Sequence, residues 1–254
     1  NDVSSARWVS KESELSLEDV SFGVNGSTNP AIELYQSNVS HLAGQVAFQG
    51  GGSVIVGMEG GSWNTDGGNI LLTMRNANFG IQVDTGEWSH RRGTMFVSTN
   101  GNPTLAMFSG PESSVRFSNM TWDQSGSTDY SLYVAGHAYI TDSNIRTGNR
   151  SDIGIHTDAG SVLRMNNSVI GTNSARPGVG LTDAGASTIS GNVSVYAGTC
   201  TAQGLYEDDS EVKVTYELAY LAWPHGAIET MPTDATVDSP EIAEYFQRAT
   251  INCL

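Results

Sequence analysis

The sequence predicts an all-β chain folded as a parallel β-helix, a solenoid of about eight to ten coils ending in a C-terminal cap that carries a short helix. Three observations predict this fold. A hexapeptide of fixed pattern recurs along the chain, its later copies begin 23 to 25 residues apart, and the composition is rich in glycine (29 residues) but only 15% charged. Because a period of 20–50 residues is the signature of a solenoid, each copy should mark one coil.

The recurring hexapeptide has apolar residues at its two ends and Asn, Asp or Gly at its third position. Its copies begin at Leu17, Met58, Met74, Phe117, Ile140 and Met165, with a frayed copy at Ile189. Their third residues are Asp19, Gly60, Asn76, Asn119, Asp142, Asn167 and Gly191. These residue types enter the left-handed region of φ/ψ space most easily, so each copy predicts a strand, a one-residue corner and another strand.

Two early gaps between copies, of 41 and 43 residues, are near twice the period and predict decayed copies near Tyr35 and Val97. The later coils share a second element, a glycine followed by Ile or Leu. It occurs at Gly154, Gly180 and Gly204, and at Ser131 with serine in place of glycine. Each coil should therefore contain three short strands, each stacked in parallel on its copy in the next coil.

The pattern divides the chain into three parts, which are an N-terminal entry segment or cap (1–16), the β-helix (17–218) and a C-terminal cap (219–254). Within the last part, Ser239-Pro240-Glu241 is a typical helix start and predicts a short helix to Arg248. Cys200 and Cys253 are the only cysteines. A disulfide between them would tie the C-terminus to the body, although two reduced, buried thiols are the alternative.

The net charge of −15 makes nucleic-acid binding improbable, because phosphate backbones would be repelled, and it makes cations the more natural partners. The sequence contains no run of 18 apolar residues, so it predicts no membrane-spanning helix. The N-terminus, Asn1-Asp-Val-Ser, has neither an initiator Met nor a signal peptide. It is typical of a processed or excised chain, or of an arbitrary boundary.

The repeats over residues 117–215, with their Gly-Leu-Tyr-type strands and Asn/Asp/Gly corners, resemble the right-handed parallel β-helix superfamily. This pectin-lyase-like and pertactin-like superfamily includes pectate lyases, polygalacturonases, phage tailspikes and autotransporter passengers. The resemblance implies a single-stranded, right-handed β-helix. Its motifs specify the fold and are compatible with both enzymes and structural or adhesive proteins.

A first candidate site is Asn64-Thr65-Asp66-Gly67, which is similar to the Asn-Thr-Asp motif of polygalacturonase-type glycosidases. The resemblance implies that Asp66 is the general acid, with paired carboxylates about one coil later. Only Asp84 lies in that region, Asp208-Asp209 lies far downstream, and Gly136-His137-Ala138 replaces the family's Gly-His-Gly. An ordinary polar turn is therefore favoured over glycosidase activity.

A second candidate is an acidic row, because Asp158, Asp183 and Asp208 follow the Gly-Ile/Leu strands at intervals of 25 residues. Like charges at coil spacing would repel by roughly 1 kcal/mol or more. Calcium would relieve this repulsion, since it binds several oxygen ligands. The row is thus a possible Ca²⁺ site, the only metal or cofactor predicted, and solvation of the carboxylates is the alternative.

A third candidate combines Asp152, His156 and Asp158 with Arg146 and Arg150. Alternation sends Asp152, His156 and Asp158 to one outward face. A lyase would use such carboxylates to bind calcium and an Arg as the base. The spacing is not diagnostic, so an ordinary charged surface is the alternative.

The last candidate is Trp88-Ser-His90-Arg91-Arg92, the densest basic spot in this acidic chain. It could hold an acidic sugar or contact an acidic surface of another copy, and a solvated loop is the alternative. Other aromatic residues fall at hexapeptide ends and should pack in the core, namely Trp63, Phe79, Phe117 and Trp122.

No complete catalytic constellation emerges, so we assign no catalytic residue. We expect a non-enzymatic extracellular or cell-surface β-solenoid with a structural, self-assembling or adhesive role, as in a sheath, surface layer, spike or passenger. Its partners would be further copies of itself or other surface proteins, with polysaccharide as a further candidate. The alternatives are a carbohydrate-active enzyme, a polysaccharide lyase or glycosidase acting on acidic polysaccharide, and a passive glycan- or ion-binding module.

Overall fold

A computed structural model describes residues 8–26, 30–101, 103–147, 153–171, 179–183, 186–195, 205–207 and 215–222. The described part of the chain is all-β and contains no helix. Every strand pair is parallel, and the strands wind into a right-handed β-solenoid. The predicted fold class is confirmed.

Fifteen strands make up one continuous sheet in the part of the chain that the structure describes. They are β1 Trp8–Lys11, β2 Glu14–Gly26, β3 Ile32–Asp66, β4 Asn69–Asn100, β5 Leu105–Ser125, β6 Tyr130–Val134, β7 His137–Thr141, β8 Asn144–Arg146, β9 Ile153–Thr157, β10 Val162–Asn166, β11 Val169–Ile170, β12 Val179–Asp183, β13 Ala186–Val195, β14 Leu205–Glu207 and β15 Thr215–Ala222.

The long strands bend around the coil, and the short ones each occupy one side of it. β5 shows this most directly, because it pairs with β6, then with β7, then with β8 as it proceeds along its length. Each coil therefore has three strand segments, as the sequence predicts. We name the three sides of the solenoid the first, second and third faces, in the order in which β5 meets β6, β7 and β8.

Equivalent residues stack from coil to coil on the first face. One unbroken series of paired residues runs through Val56, Ile81, Met107, Leu132, Ile155, Leu181 and Leu205. Successive members are 23 to 26 residues apart. Each coil thus adds one backbone ladder to the next, and its few apolar residues join a core that no single coil could form.

The second and third faces carry their own inward series. On the second face it runs through Thr65, His90, Phe117, Ile140 and Met165, and the backbone pairing continues to Ile189 and Tyr216. On the third face it runs through Met95, Trp122, Ile145 and Ile170, and the backbone pairing continues to Val195. Inward residues alternate with outward ones along each strand, as period-2 geometry requires.

The core is filled by these inward series, and its largest fully buried side chains include Trp63, Trp88 and Trp122. The prediction that Trp63, Phe117 and Trp122 pack in the core is confirmed, since each is at most 1% exposed. Phe79 is only half-buried.

Left-handed residues occupy the corner between the second and third faces. At this corner the φ values of Asp19, Asn119, Asp142 and Asn167 are 47°, 52°, 49° and 44°. Ala43 and Arg92 occupy the same corner in other coils, with φ values of 58° and 54°. The hexapeptides containing these four Asn and Asp residues are therefore correctly interpreted as strand, corner and strand.

Two hexapeptide copies mark other corners, which corrects the predicted spacing. Gly60 (φ 78°) lies beside Gln36 between the first and second faces, and Asn76 (φ 55°) lies between the third face and the next coil. The motif does not distinguish corners, because more than one corner of the coil has a left-handed residue between two inward apolar residues. Wherever the coil bends this way, the same pattern arises.

The missing copies of the second-face corner are consequently not near Tyr35 and Val97. They are the segments around His41, Thr65 and His90, where polar residues occupy the inward position. A search for apolar ends could not find them.

The stacked coils extend into both segments that the sequence assigns to caps. β1 pairs with Ile32–Tyr35 of β3, and β15, which crosses the predicted boundary at residue 218, pairs with β13. The predicted helix from Ser239 to Arg248 and the cysteines Cys200 and Cys253 lie outside the described residues.

Candidate functional site

The outward side of the first face changes character along the solenoid axis. Its central outward series runs, in register, through Gly57, Gln82, Phe108, Tyr133 and His156. Small and polar residues at one end give way to three rings in successive coils. Because neighbouring strands lie about 4.8 Å apart, these rings extend over roughly 10 Å.

The three rings and Tyr130 are in mutual contact. Ring centroids are 5.6 Å apart for Phe108 and Tyr133 and 4.5 Å apart for Tyr133 and His156. Tyr130 lies 5.4 Å from Tyr133 and 5.3 Å from His156. All four side chains are half-buried, so each keeps part of its surface in solvent. We call this cluster of Phe108, Tyr130, Tyr133 and His156 the aromatic face.

The local sequence explains why both tyrosines of Tyr130-Ser-Leu-Tyr133 point outward although they are three residues apart. The two residues between them, Ser131 and Leu132, are both fully buried. In the next coil Gly154 and Ile155 are buried in the same way. A small residue beside the inward Leu or Ile breaks strict alternation and allows the flanking side chains to share one outer surface.

A turn fixes the end of the aromatic face. Burial, followed by the charge of Asp158 and a hydrogen bond to it, raises the pKa of Tyr133 to about 12. The phenol therefore stays protonated at physiological pH and can donate to the Asp158 carboxylate. The same carboxylate accepts a hydrogen bond of 2.8 Å from the Ala159 amide, and the Ser161 amide donates to the Asp158 carbonyl at 3.0 Å.

A shallow cleft of about 170 Å³ lies at the other end of the first face. Its lining includes Pro30, Glu33, Gly57, Glu59 and Asp84. Glu59 and Asp84 are exposed, and the Gln82 amide donates to Asp84 Oδ1 at 2.8 Å. The cleft is therefore acidic, and Gln82 connects it to the aromatic face.

Among the described residues, the structure does not assemble the candidate glycosidase site. Asp66 lies on the second face, where Arg92 and Arg91 approach it at 2.7 and 3.1 Å. Hydrogen bonding from Arg92 and then the other interactions with both arginines lower the pKa of Asp66, whereas a general acid needs a raised one. Asp84 belongs to the first face, and Asp208 and Asp209 lie outside the described residues.

Of the candidate lyase cluster, the described residues bring His156 and Asp158 together beside Tyr133 but place Arg146 elsewhere. His156 packs on tyrosine rings, and Asp158 interacts with Tyr133. Arg146 lies on the third face, in register with Asp123. Asp152 and Arg150 lie outside the described residues.

The backbone register does not align Asp158 and Asp183 of the acidic row. Asp183 pairs with Thr157 on one side and with Glu207 on the other, so it is one residue out of step with Asp158. Asp208 lies outside the described residues. In the part of the chain that the structure describes, no three His, Cys, Asp or Glu side chains form a group that could hold a metal ion. Calcium binding stays a prediction.

The basic spot at residues 88–92 is part of strand β4 rather than a loop. Because side chains alternate along a strand, its residues point to opposite sides of the sheet. Trp88 and His90 point inward and are 0% exposed, with the Trp88 indole stacked on Trp63 at 5.1 Å. Arg91 and Arg92 point outward and share Asp66. Trp88 and His90 cannot contact a sugar or another protein, which corrects that part of the prediction.

A buried polar cluster in the core was missed from the sequence. His41, Thr65 and His90 occupy the inward position of the second face, and each is at most 2% exposed. His90 Nε2 lies 3.2 Å from the Gly68 carbonyl. Burial lowers the pKa of His41, and burial with the nearby His41 lowers that of His90 to about 4, so both imidazoles are neutral near pH 7.

The aromatic face was also missed, although its signal is present in the sequence. Tyr133 and His156 each follow the Leu or Ile of the small-residue pairs that mark the first face. The residue after that inward position must point outward. Tyr130 and Phe108 gave no comparable signal, because their place depends on buried Ser131 and on the register between β5 and β6.

Comparison of the chain with protein-family models, with curated proteins and with solved structures gave no match. Among the described residues, no helix is long and apolar enough to cross a membrane.

Proposed function

We propose that this β-solenoid is a non-enzymatic adhesive protein of the extracellular space or cell surface that binds a neutral glycan on its aromatic face. The observation that carries the proposal is the contiguous cluster of Phe108, Tyr130, Tyr133 and His156 on the solvent side of the first face. Large aromatic side chains that are left partly in water typically mark a binding surface.

The chemistry of the cluster suits a saccharide. One side of a sugar ring consists largely of C–H groups, which lose contact with water when they stack on an aromatic ring. The sugar hydroxyls then remain available to bond to polar groups at the edge, such as the Tyr133 phenol oxygen, which can accept a hydrogen bond while its O–H donates to Asp158. Rings repeated in successive coils would contact successive units of one chain.

The surrounding charges favour a neutral glycan over the acidic polysaccharide that the alternative, enzymatic interpretation of the sequence names. Asp158 lies at one end of the aromatic face, and Asp84 and Glu59 line the cleft at the other. The whole chain carries a net charge of −15. A polyuronate would meet repulsion at both ends of the site.

The test measures binding of neutral oligosaccharides, taken from glucan, mannan, xylan and galactan, by titration calorimetry. Polygalacturonate serves as the acidic comparison. Tyr133→Ala and His156→Ala should each weaken binding roughly tenfold, because each removes one stacking surface.

Tyr139→Ala is the matched control, since Tyr139 is a half-buried outward tyrosine on the second face. It should leave glycan affinity unchanged. Equal binding by wild type, Tyr133→Ala and His156→Ala would overturn the proposal, and so would the absence of binding to every neutral oligosaccharide.

A second candidate, a glycoside hydrolase, is favoured by one observation. The cleft that contains Glu59 and Asp84 continues the line of the aromatic face, and such enzymes use two carboxylates beside a bound sugar. In that case the bound oligosaccharide should release reducing ends, and Glu59→Gln or Asp84→Asn should abolish the release without loss of binding. Binding with no release of reducing ends would favour adhesion.

A further inference from the structure

The second face carries a column of cationic and aromatic side chains that glycan binding on the first face does not use. Arg116, Tyr139 and Arg164 are in register on β5, β7 and β10. The Arg116 guanidinium lies 4.2 Å from the centroid of the Tyr139 ring, and that of Arg164 lies 5.9 Å from it on the opposite neighbouring strand. We call these three residues the arginine column.

The column is a local exception in an acidic chain. The strand segments around it, residues 114–118, β7 and β10, contain no Asp or Glu, whereas the protein has 27 acidic against 12 basic residues. Arg116 has one carboxylate partner, Glu87 at 3.3 Å, and both of these side chains remain substantially exposed. Stacking on Tyr139 holds the guanidinium groups in place while leaving their N–H donors available.

A complementary surface exists on the first face of the same molecule. Glu33, Glu59 and Asp84 occupy three successive coils and line the acidic cleft. We call these residues the acidic edge. Glu33 and Asp84 are two coils apart, as are Arg116 and Arg164, so both sets of charges follow the same repeat of about 4.8 Å per coil.

We propose that the arginine column of one copy docks on the acidic edge of a second copy. The common coil repeat aligns the two solenoid axes, so that Arg116 and Arg164 can each meet a carboxylate in one arrangement. Since the two surfaces differ, the contact is heterologous, and each added copy leaves its other surface, either the column or the edge, to bind the next copy. The expected product is an open lateral array, which is distinct from glycan binding.

The test uses charge reversal and sedimentation velocity over a range of protein concentrations. Wild type should self-associate at moderate salt, and raising the salt from about 0.1 M to 0.5 M should weaken association roughly tenfold, since surface charge pairs are screened. The variants Arg116→Glu/Arg164→Glu and Glu33→Lys/Asp84→Lys should each be monomeric, because each brings like charges together at the two-coil spacing that the column and the edge share.

The decisive experiment is to mix the column-reversed variant with the edge-reversed variant. The reversed column of one variant is complementary to the reversed edge of the other, so the mixture should associate although neither variant does so alone. Arg75→Glu/Arg146→Glu is the control, because it makes the same change in net charge away from the second face and should associate like wild type.

Three outcomes would overturn the proposal. They are a wild type that stays monomeric at every concentration, association that both reversals leave unchanged, and a mixture of the two variants that stays monomeric. Circular dichroism of each variant distinguishes loss of the interface from loss of the fold.

Discussion

The indole N–H of Trp63 donates a hydrogen bond of 2.9 Å to the hydroxyl of Thr65 in the core of the solenoid. His41 Nδ1 approaches the same hydroxyl at 3.4 Å, and Thr65 is 2% exposed. In later coils Phe117 and Ile140 occupy the position of Thr65. The Thr65 hydroxyl therefore supplies a hydrogen-bond partner for the Trp63 N–H and a polar neighbour for His41 Nδ1. Buried polar atoms need such partners.

Replacing Thr65 by valine keeps the shape of the side chain and removes the shared hydroxyl. The Trp63 N–H would then be buried without a partner, and the cost should be about 1–3 kcal/mol in the free energy of unfolding. The measurement is urea denaturation followed by tryptophan fluorescence, to which Trp63 is one of five contributors.

Thr141→Val is the control for this experiment. Thr141 is half-buried on the outer side of the second face, and its replacement should change stability by about 0.5 kcal/mol or less. Equal losses in the two variants would contradict the role assigned to the Thr65 hydroxyl.

The buried imidazole of His90 should make the stability of the protein depend on pH. Its pKa in the folded protein is about 4, because burial disfavours the charged form, and in the unfolded chain it is near 6.5. Between these values the unfolded state binds more protons, so stability rises with pH. Acidification from 6.5 to 4 should therefore remove on the order of 3 kcal/mol.

The measurement compares unfolding of wild type and His90→Leu at a series of pH values from 7 to 4. Wild type should lose stability relative to His90→Leu as the pH falls, because only wild type has the imidazole of His90 to protonate. Phe117→Leu alters the same inward series without removing a titratable group and should lose the same stability at every pH. A pH-independent difference for His90→Leu would contradict the prediction.

The repeat and its corners could be predicted from the sequence, because each follows from a local steric rule. Asn119, Asp142 and Asn167 are residues that tolerate positive φ, and the structure has all three in that region. The assignment of copies to corners could not be predicted, because Met58 and Met74 flank bends of the same local chemistry at other corners. Only the pairing between coils distinguishes those bends.

The candidate surfaces were less predictable, and His90 and Tyr133 show why. Histidine is usually exposed or half-exposed, so the run at residues 88–92 suggested a basic surface, yet alternation from Trp88 directs His90 into the core. Tyr133 was recognised as part of a strand motif. That it joins Phe108 and His156 in one cluster depends on register across β5, β6 and β9, which a single sequence does not encode locally.

Gly68 should be required for the buried histidine cluster. A Cβ added there would overlap the imidazole of His41, which is fully buried and has little room to move. Gly68→Ala should therefore lower the free energy of unfolding by about 1–3 kcal/mol, as overpacking of a core usually does. Thermal unfolding by circular dichroism measures the effect.

Gly23→Ala is the matched control, because a Cβ there would meet only the Ala47 side chain and carbonyl oxygen at 3.8–3.9 Å, which is ordinary contact. Its midpoint should stay close to that of wild type. If Gly68→Ala were equally harmless, His41 would have to move freely, and the close packing described for this part of the core would be wrong.

Asn119 tests the proposed origin of the repeat itself. Its φ of 52° lies in the left-handed region, which a β-branched side chain enters only with strain. Asn119→Val should therefore cost about 1–2 kcal/mol, whereas Asn119→Gly should be neutral or slightly stabilising, since glycine enters this region freely. Ser118→Val, one residue earlier on the extended strand, should cost little, because valine suits an extended backbone. Urea unfolding of the three variants gives the order of their stabilities directly. If Asn119→Val were as stable as Asn119→Gly, backbone conformation would not be what maintains this corner.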